Sequence, residues 1–136
     1  MNNTTYVPCP FCLPNSELRG DVLYEDDLWY FVTFEDGELK HSGMIITKRH
    51  ITTPFDINPE EWARLHELLG TFKSFIDEHN PDGYNVGWNI PQTGGQNGEH
   101  AHLHLVGRFK DEPLAGKGIR YALKHTDNKR PPSIRK

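Results

Sequence analysis

Residues 100–105 read His-Ala-His-Leu-His-Leu. Successive side chains on a strand face opposite ways, so the spacing predicts His100, His102 and His104 on one face and Ala101, Leu103 and Leu105 on the other. This pattern constrains the fold from both sides. The apolar row needs a packed layer behind it, while the imidazole row suits a metal or a phosphate better than a plain core. A stretch that contains Gly94, Gly95, Gln96, Asn97 and Gly98 stands directly before it.

At 136 residues the chain is long enough for one domain with a core of its own. Hydrophobic residues make up 35% and charged residues 25%, the balance of a soluble globular protein. No run approaches the roughly 20 apolar residues of a membrane helix, and no basic-then-apolar leader opens the chain. A cytoplasmic setting without membrane partners is the expectation. The net charge of -4 hides an asymmetry. Residues 1–109 hold 7 basic and 16 acidic side chains, whereas residues 110–136 hold 8 basic and 3 acidic. Residues 1–109 are expected to form the core and residues 110–136 a basic C-terminal extension of the same domain. That extension suits phosphates or a solvated tail, with nucleic acid the less favoured partner.

The local patterns give an order of elements. Val22–Tyr24 and Leu28–Phe34 are strand-like, and Met44–Thr47 is a short apolar strand ending at Lys48-Arg49-His50. Asn58 is a good helix N-cap, Pro59 suits the first helical position, and Glu61 completes a capping box. Trp62, Leu65, Leu69, Phe72 and Ile76, widened by Leu68 and Phe75, then repeat at helical spacing. This stripe reads as core packing, and His66 and His79 read as surface residues. Tyr84–Ile90 and His100–Val106 are further strands, and Ile119–Leu123 is a possible short one. The sum is an α+β domain with one main helix on a mostly antiparallel sheet.

Two groups of residues carry chemistry. Cys9 and Cys12 have the spacing of a zinc knuckle, with metal, thiol redox and inert roles all open. The Gly94–Gly98 stretch can turn successive N–H groups into one concavity that receives anionic oxygens, with Asn89, Gln96 and Asn97 as neutral donors. A phosphate there would face His102. A neutral imidazole can attack phosphorus, and a neighbouring imidazole can bond the phosphoryl oxygens.

The stretch from Tyr84 to Val106, with its His-x-His-x-His followed by two apolar residues, resembles the histidine triad superfamily of nucleotide hydrolases and transferases. Cys9-Pro10-Phe11-Cys12 and the segment Met44–His50 resemble two further landmarks of the zinc-containing bacterial-type members. The resemblance covers roughly residues 6–125. It implies an α+β half-barrel, homodimers paired through the helix and the strand before the glycine-rich loop, and cleavage of dinucleoside polyphosphates or nucleoside phosphoramidates. By matching position it makes His102 the nucleophile and His104 a phosphate contact, with Asn97 assisting. Asn89, Gly95, Gln96 and Asn97 would bind substrate, and Cys9, Cys12, His50 and His100 would hold a structural zinc. Lys117 and Arg120 would add positive charge near a polyphosphate. Nucleotidyl transfer, a nucleotide-binding interaction module with little turnover, and direct metal ligation by the triad are the alternatives. The chain departs from the family pattern in places. Asn97-Gly98 replaces Ser/Thr-Val, Ser42 stands where a histidine is usual, Thr47 replaces a proline, and Asp36 is the nearest candidate for the ribose-binding aspartate.

Overall fold

The apolar patterns assemble into one antiparallel sheet with a helix across one face. The computed structural model describes residues 9, 11–12, 22–36, 39–90 and 100–132, with residues 34–36, 39 and 40 described by backbone alone. The lead-in before Cys9, the turn around Pro14, the turn at Gly37 and the Gly94–Gly98 stretch lie outside the described residues. The strands are β1 (Val22–Glu25), β2 (Trp29–Asp36), β3 (Leu39–Thr47), β4 (Gly83–Trp88) and β5 (His102–Arg108). They lie in the order β1-β2-β3-β5-β4, every described pair antiparallel. The main helix, α1, spans Pro59–Asp77 and enters between β3 and β4. The fold is α+β.

The capping box forms at the start of α1. The Asn58 side chain accepts from the Glu61 N–H at 2.8 Å, and the Glu61 carboxylate accepts from the Asn58 N–H at 2.9 Å. Glu61 is itself buried, because Arg49 donates to both of its carboxylate oxygens, at 2.8 and 3.1 Å. Behind this entry, Leu65, Leu68, Phe72 and Ile76 pack on Trp29, Phe31, Ile45, Leu103 and Leu105 of the sheet. Phe31 and Phe72 stack with ring centroids 4.7 Å apart, and full burial of a side chain this large contributes up to about 3 kcal/mol. Gly43 lies beneath that stack: a Cβ there would stand 2.6 Å from the Phe31 ring.

Two sequence expectations need correction. Trp62 is 44% exposed, meeting the edge of Trp88 at 6.4 Å. It lies beside β4, the last strand of the sheet among the described residues. Ile119–Leu123 is a short helix, α2, and not a strand. Its alternation mimicked a strand, but Tyr121 and Lys124 donate backward to the carbonyls of Gly118 and Arg120, closing a local turn. His66 and His79 are exposed as expected.

The strand register settles which residues share the face away from α1. Ile46 pairs with His102, Met44 with His104, and Ser42 with Val106. Across β5, Gly87 pairs with His104, Asn85 with Val106 and Gly83 with Arg108. Paired residues point to the same side. The histidine row therefore continues through Val106 to Arg108, flanked on one side by Met44 and Ser42 and on the other by Gly87 and Asn85.

Candidate active site and metal cluster

The Cys9–Cys12 turn closes with a backbone bond from the Cys12 N–H to the Cys9 carbonyl at 3.2 Å. It packs over the histidine face. The Tyr30 hydroxyl donates to the Phe11 carbonyl, and the Phe11 ring meets His102 edge-on at 4.9 Å. This contact brings the cysteine pair to two histidines far along the chain. Cys9 Sγ and Cys12 Sγ lie 3.3 and 3.4 Å from His100 Nδ1, and Cys12 Sγ lies 3.2 Å from His50 Nδ1. The four ligand atoms all fall within 4.8 Å of one another.

The donor set fits a tetrahedral zinc. With bonds of about 2.3 Å to sulfur and about 2.0 Å to nitrogen, the sulfur-to-nitrogen edges of such a site run about 3.5 Å. The second ring nitrogen of His100 is fixed as well: Nε2–H donates to the Thr47 carbonyl at 2.8 Å, with the Thr47 hydroxyl 3.1 Å away. A carbonyl only accepts, so the hydrogen is on Nε2 and the Nδ1 lone pair is aimed at the sulfurs. Thr47 was legible only as a departure from the usual proline, yet it holds this ring. Burial, then the neighbouring Cys9, push the Cys12 thiol up to about 12.

Two residues along, the same logic sets His102. Its Nδ1 lies 2.8 Å from the His100 carbonyl oxygen, so Nδ1 donates and Nε2 keeps its lone pair. His104 stands beside it, ring centroids 4.8 Å apart. Burial pushes His100 down to about 4, against the opposing effect of the Thr47 carbonyl. It lowers His102 too, opposed by the His100 carbonyl, and lowers His104, reinforced there by His102. All three imidazoles are thus held neutral near pH 7, a requirement for ligation by His100 and for attack by either of the others.

Other anticipated residues stand differently. Asn89 is exposed just past β4, and Gly95, Gln96 and Asn97 lie outside the described residues. Ser42 occupies the histidine face and is buried, while His41 adopts the left-handed conformation at φ 58°. A bulge between β2 and β3 causes this, since Phe34 pairs with Ser42 but Asp36 with Leu39. It turns the His41 ring away from the triad to stack on His79 at 3.9 Å. Arg108 was missed by the sequence reading. Its guanidinium donates to Glu112 Oε1 at 2.8 Å, to Asn85 Oδ1, and to the carbonyls of Lys117 and Leu114 at 2.8 Å each. One arginine thereby ties the segment after β5 to the histidine face of β4.

With this geometry in hand, comparison with known proteins identifies the family. The HIT domain model matches residues 15–111, well over half of the chain. The chain belongs to the HIT family. Among HIT relatives, it is 30% identical over 108 residues to the purine nucleoside phosphoramidase of Escherichia coli, covering 76% of this chain and 89% of that protein. It is 30% identical over 92 residues to a HIT-like protein of Synechococcus elongatus, covering 67% and 81%. Of solved structures, a HIT family protein from Bacillus anthracis superposes with a TM-score of 0.65 at 25% identity, covering 76% of this chain and 77% of that one. No helix among the described residues is long and apolar enough to cross a membrane.

Proposed function

We propose that this HIT protein hydrolyses a nucleotidyl phosphoanhydride or phosphoramidate bond through a covalent intermediate on His102. The observation that carries this reading is the 2.8 Å contact between His102 Nδ1 and the His100 carbonyl. It leaves Nε2 unprotonated and supports the positive charge that the ring acquires on attack. Nε2 donates its lone pair to the α-phosphorus, and the bond to the leaving oxygen or nitrogen breaks with its electron pair. A departing nitrogen also takes a proton from solvent. Water then attacks phosphorus, the P–N bond to His102 breaks with its pair returning to Nε2, and the water's proton passes to solvent.

His104 bonds a phosphoryl oxygen in both steps. By their positions in the family's motif, Asn89, Gly95, Gln96 and Asn97 are assigned the remaining phosphate contacts, and Asn97 the help to the leaving group. Cys9, Cys12, His50 and His100 hold a zinc ion. When bound, that ion supplies a structural tie between the N-terminal turn and the triad strand. The likeness to a purine nucleoside phosphoramidase supports a purine nucleotide as the transferred group. Val86, 51% exposed on the free edge strand β4, and the half-exposed Trp62 support pairing of two copies along that side.

The test is trapping. Wild-type protein mixed with diadenosine polyphosphate or adenosine phosphoramidate is expected to form an acid-labile nucleotidyl adduct, and His102→Ala to lose both adduct and turnover by at least about 10³-fold. Turnover by His102→Ala at the wild-type rate would overturn the assignment.

A further inference from the structure

His50 is the exposed member of the Cys9, Cys12, His50 and His100 cluster. It lies between the end of β3 and a turn of 3-10 helix at Pro54–Asp56, outside every strand and helix. Packing therefore holds little of its ring, and its position depends on the two residues beside it. After it, Ile51 is buried in the core, and its carbonyl accepts from the Ala101 N–H at 2.8 Å. Before it, the Arg49 carbonyl accepts from the Thr47 hydroxyl at 2.8 Å. Both ties lead to His100. Ala101 follows it in the chain, and the Thr47 oxygen, its hydrogen committed to Arg49, turns a lone pair toward His100 Nε2–H at 3.1 Å.

The Arg49 side chain carries the tie on to α1. Its Nε and Nη2 donate to the two Glu61 oxygens at 3.1 and 2.8 Å, and Nη2 also donates to the Asp56 carbonyl at 2.8 Å. The loop that bears His50 is thereby closed against the first turn of the helix. A capping box does not require such a partner. It needs one acceptor for the Asn58 N–H, which glutamine supplies as well as glutamate. Glu61 is instead 1% exposed, and its own carbonyl accepts from Trp29 Nε1 at 2.9 Å. A buried carboxylate gripped by both prongs of an arginine adds little stability over an apolar pair, but it fixes distance and angle. Here the arginine so fixed is the residue next to a metal ligand.

We propose that the Arg49–Glu61 pair and the Thr47 hydroxyl are positioning groups of the metal centre, holding His50 in register with His100 so that the start of α1 sets the affinity for the ion. This inference rests on the reading of the four residues as zinc ligands and adds what keeps them together. Without these ties His50 would be ordered only on binding, and the affinity would fall by that ordering cost.

The experiment uses the full chain with zinc and, separately, with cobalt(II). Zinc affinity is measured by competition with a chelator, and the visible absorption of the cobalt form reports ligand geometry. Glu61→Gln keeps the capping box and leaves no bare charge buried, while giving Arg49 a neutral partner. Thr47→Val keeps the volume of the side chain and removes the hydroxyl, and Thr47→Ser retains it. Zinc affinity is expected to fall at least about tenfold in Glu61→Gln and Thr47→Val, with a weakened cobalt band, and to stay within about threefold of wild type in Thr47→Ser. A pair that served the fold alone would lower Tm and leave affinity and cobalt spectrum at their wild-type values. That result in Glu61→Gln overturns the inference. Should Glu61→Gln not fold, Arg49→Lys decides in its place by the same two readouts, because an ammonium at this half-exposed position keeps the charge and loses the two-pronged contact. Wild type that binds neither metal overturns the zinc reading, and this inference with it.

Discussion

His100 and His102 are joined by a 2.8 Å contact in which the ring Nδ1–H of one meets the backbone carbonyl of the other. His100 thus acts in two directions. Its side chain turns Nδ1 to the sulfurs of Cys9 and Cys12, and its main chain fixes the tautomer of His102. The two histidines share a strand face but have unlike environments. The metal cluster and the neutral imidazole beside it are built from a single backbone segment.

The pH profile follows from that neutrality. Burial holds His102 below the ordinary histidine value of about 6.5, so the unprotonated form persists as the pH falls through that value. The acid limb of kcat/KM is expected to lie below pH of about 6.5, with activity retained above it and lost beneath it. An acid limb above that value, in steady-state rates corrected for stability, would contradict a buried neutral nucleophile.

Zinc is expected to copurify in stoichiometric amount and to stabilise the fold. His50→Ala removes an exposed ligand and leaves the Thr47 contact to His100 in place. Its zinc content, by plasma emission spectrometry, should drop sharply and its Tm by several degrees. Chelation of wild type should produce the same loss of stability. Metal-free wild type with an unaltered Tm would remove zinc from the fold.

Acid sensitivity has a source remote from the triad. Burial alone would raise Asp26, but the N–H groups of Leu28 and Trp29, then Arg64 and Tyr24, outweigh it and hold the carboxyl at about 2. The charged form is therefore favoured by folding. That contribution is present above pH of about 4 and is lost as the pH falls toward 2, amounting to about 2 kcal/mol. Asp26→Asn should be less stable than wild type by this order at neutral pH, in urea titrations, with the gap closing toward pH 2. A gap independent of pH would show that Asp26 is not the group responsible.

The free edge of β4 gives a prediction about assembly. Val86→Lys places a charge on the half-exposed apolar edge and is expected to shift the protein from dimer to monomer in light scattering. A monomeric wild type would remove the proposed pairing.

Much of this fold was legible locally. The capping box at Asn58 and Glu61 depends on four successive residues, and the helical stripe from Leu65 to Ile76 on a single period. The alternation from Ala101 to Leu105 likewise sorts into a packed row and an imidazole row. Trp62 escaped the pattern because its exposure depends on where the sheet ends, and α2 because a five-residue alternation fits a strand or a turn of helix equally well. A bulge turns His41 aside and leaves Ser42 on the histidine face, and no residue pattern on β3 announces it.

By itself, the sequence determined that a strand would present three imidazoles opposite an apolar row, since side-chain alternation is a property of the extended backbone. It also determined which cysteines could act together, because they are three residues apart. Only the tertiary structure decided that Cys9 and Cys12 meet His50 and His100, and that Arg108 folds a basic segment back beside the triad. Those contacts join residues dozens of positions apart or pass through backbone carbonyls. They exist only once the sheet has set its register and the chain has crossed it.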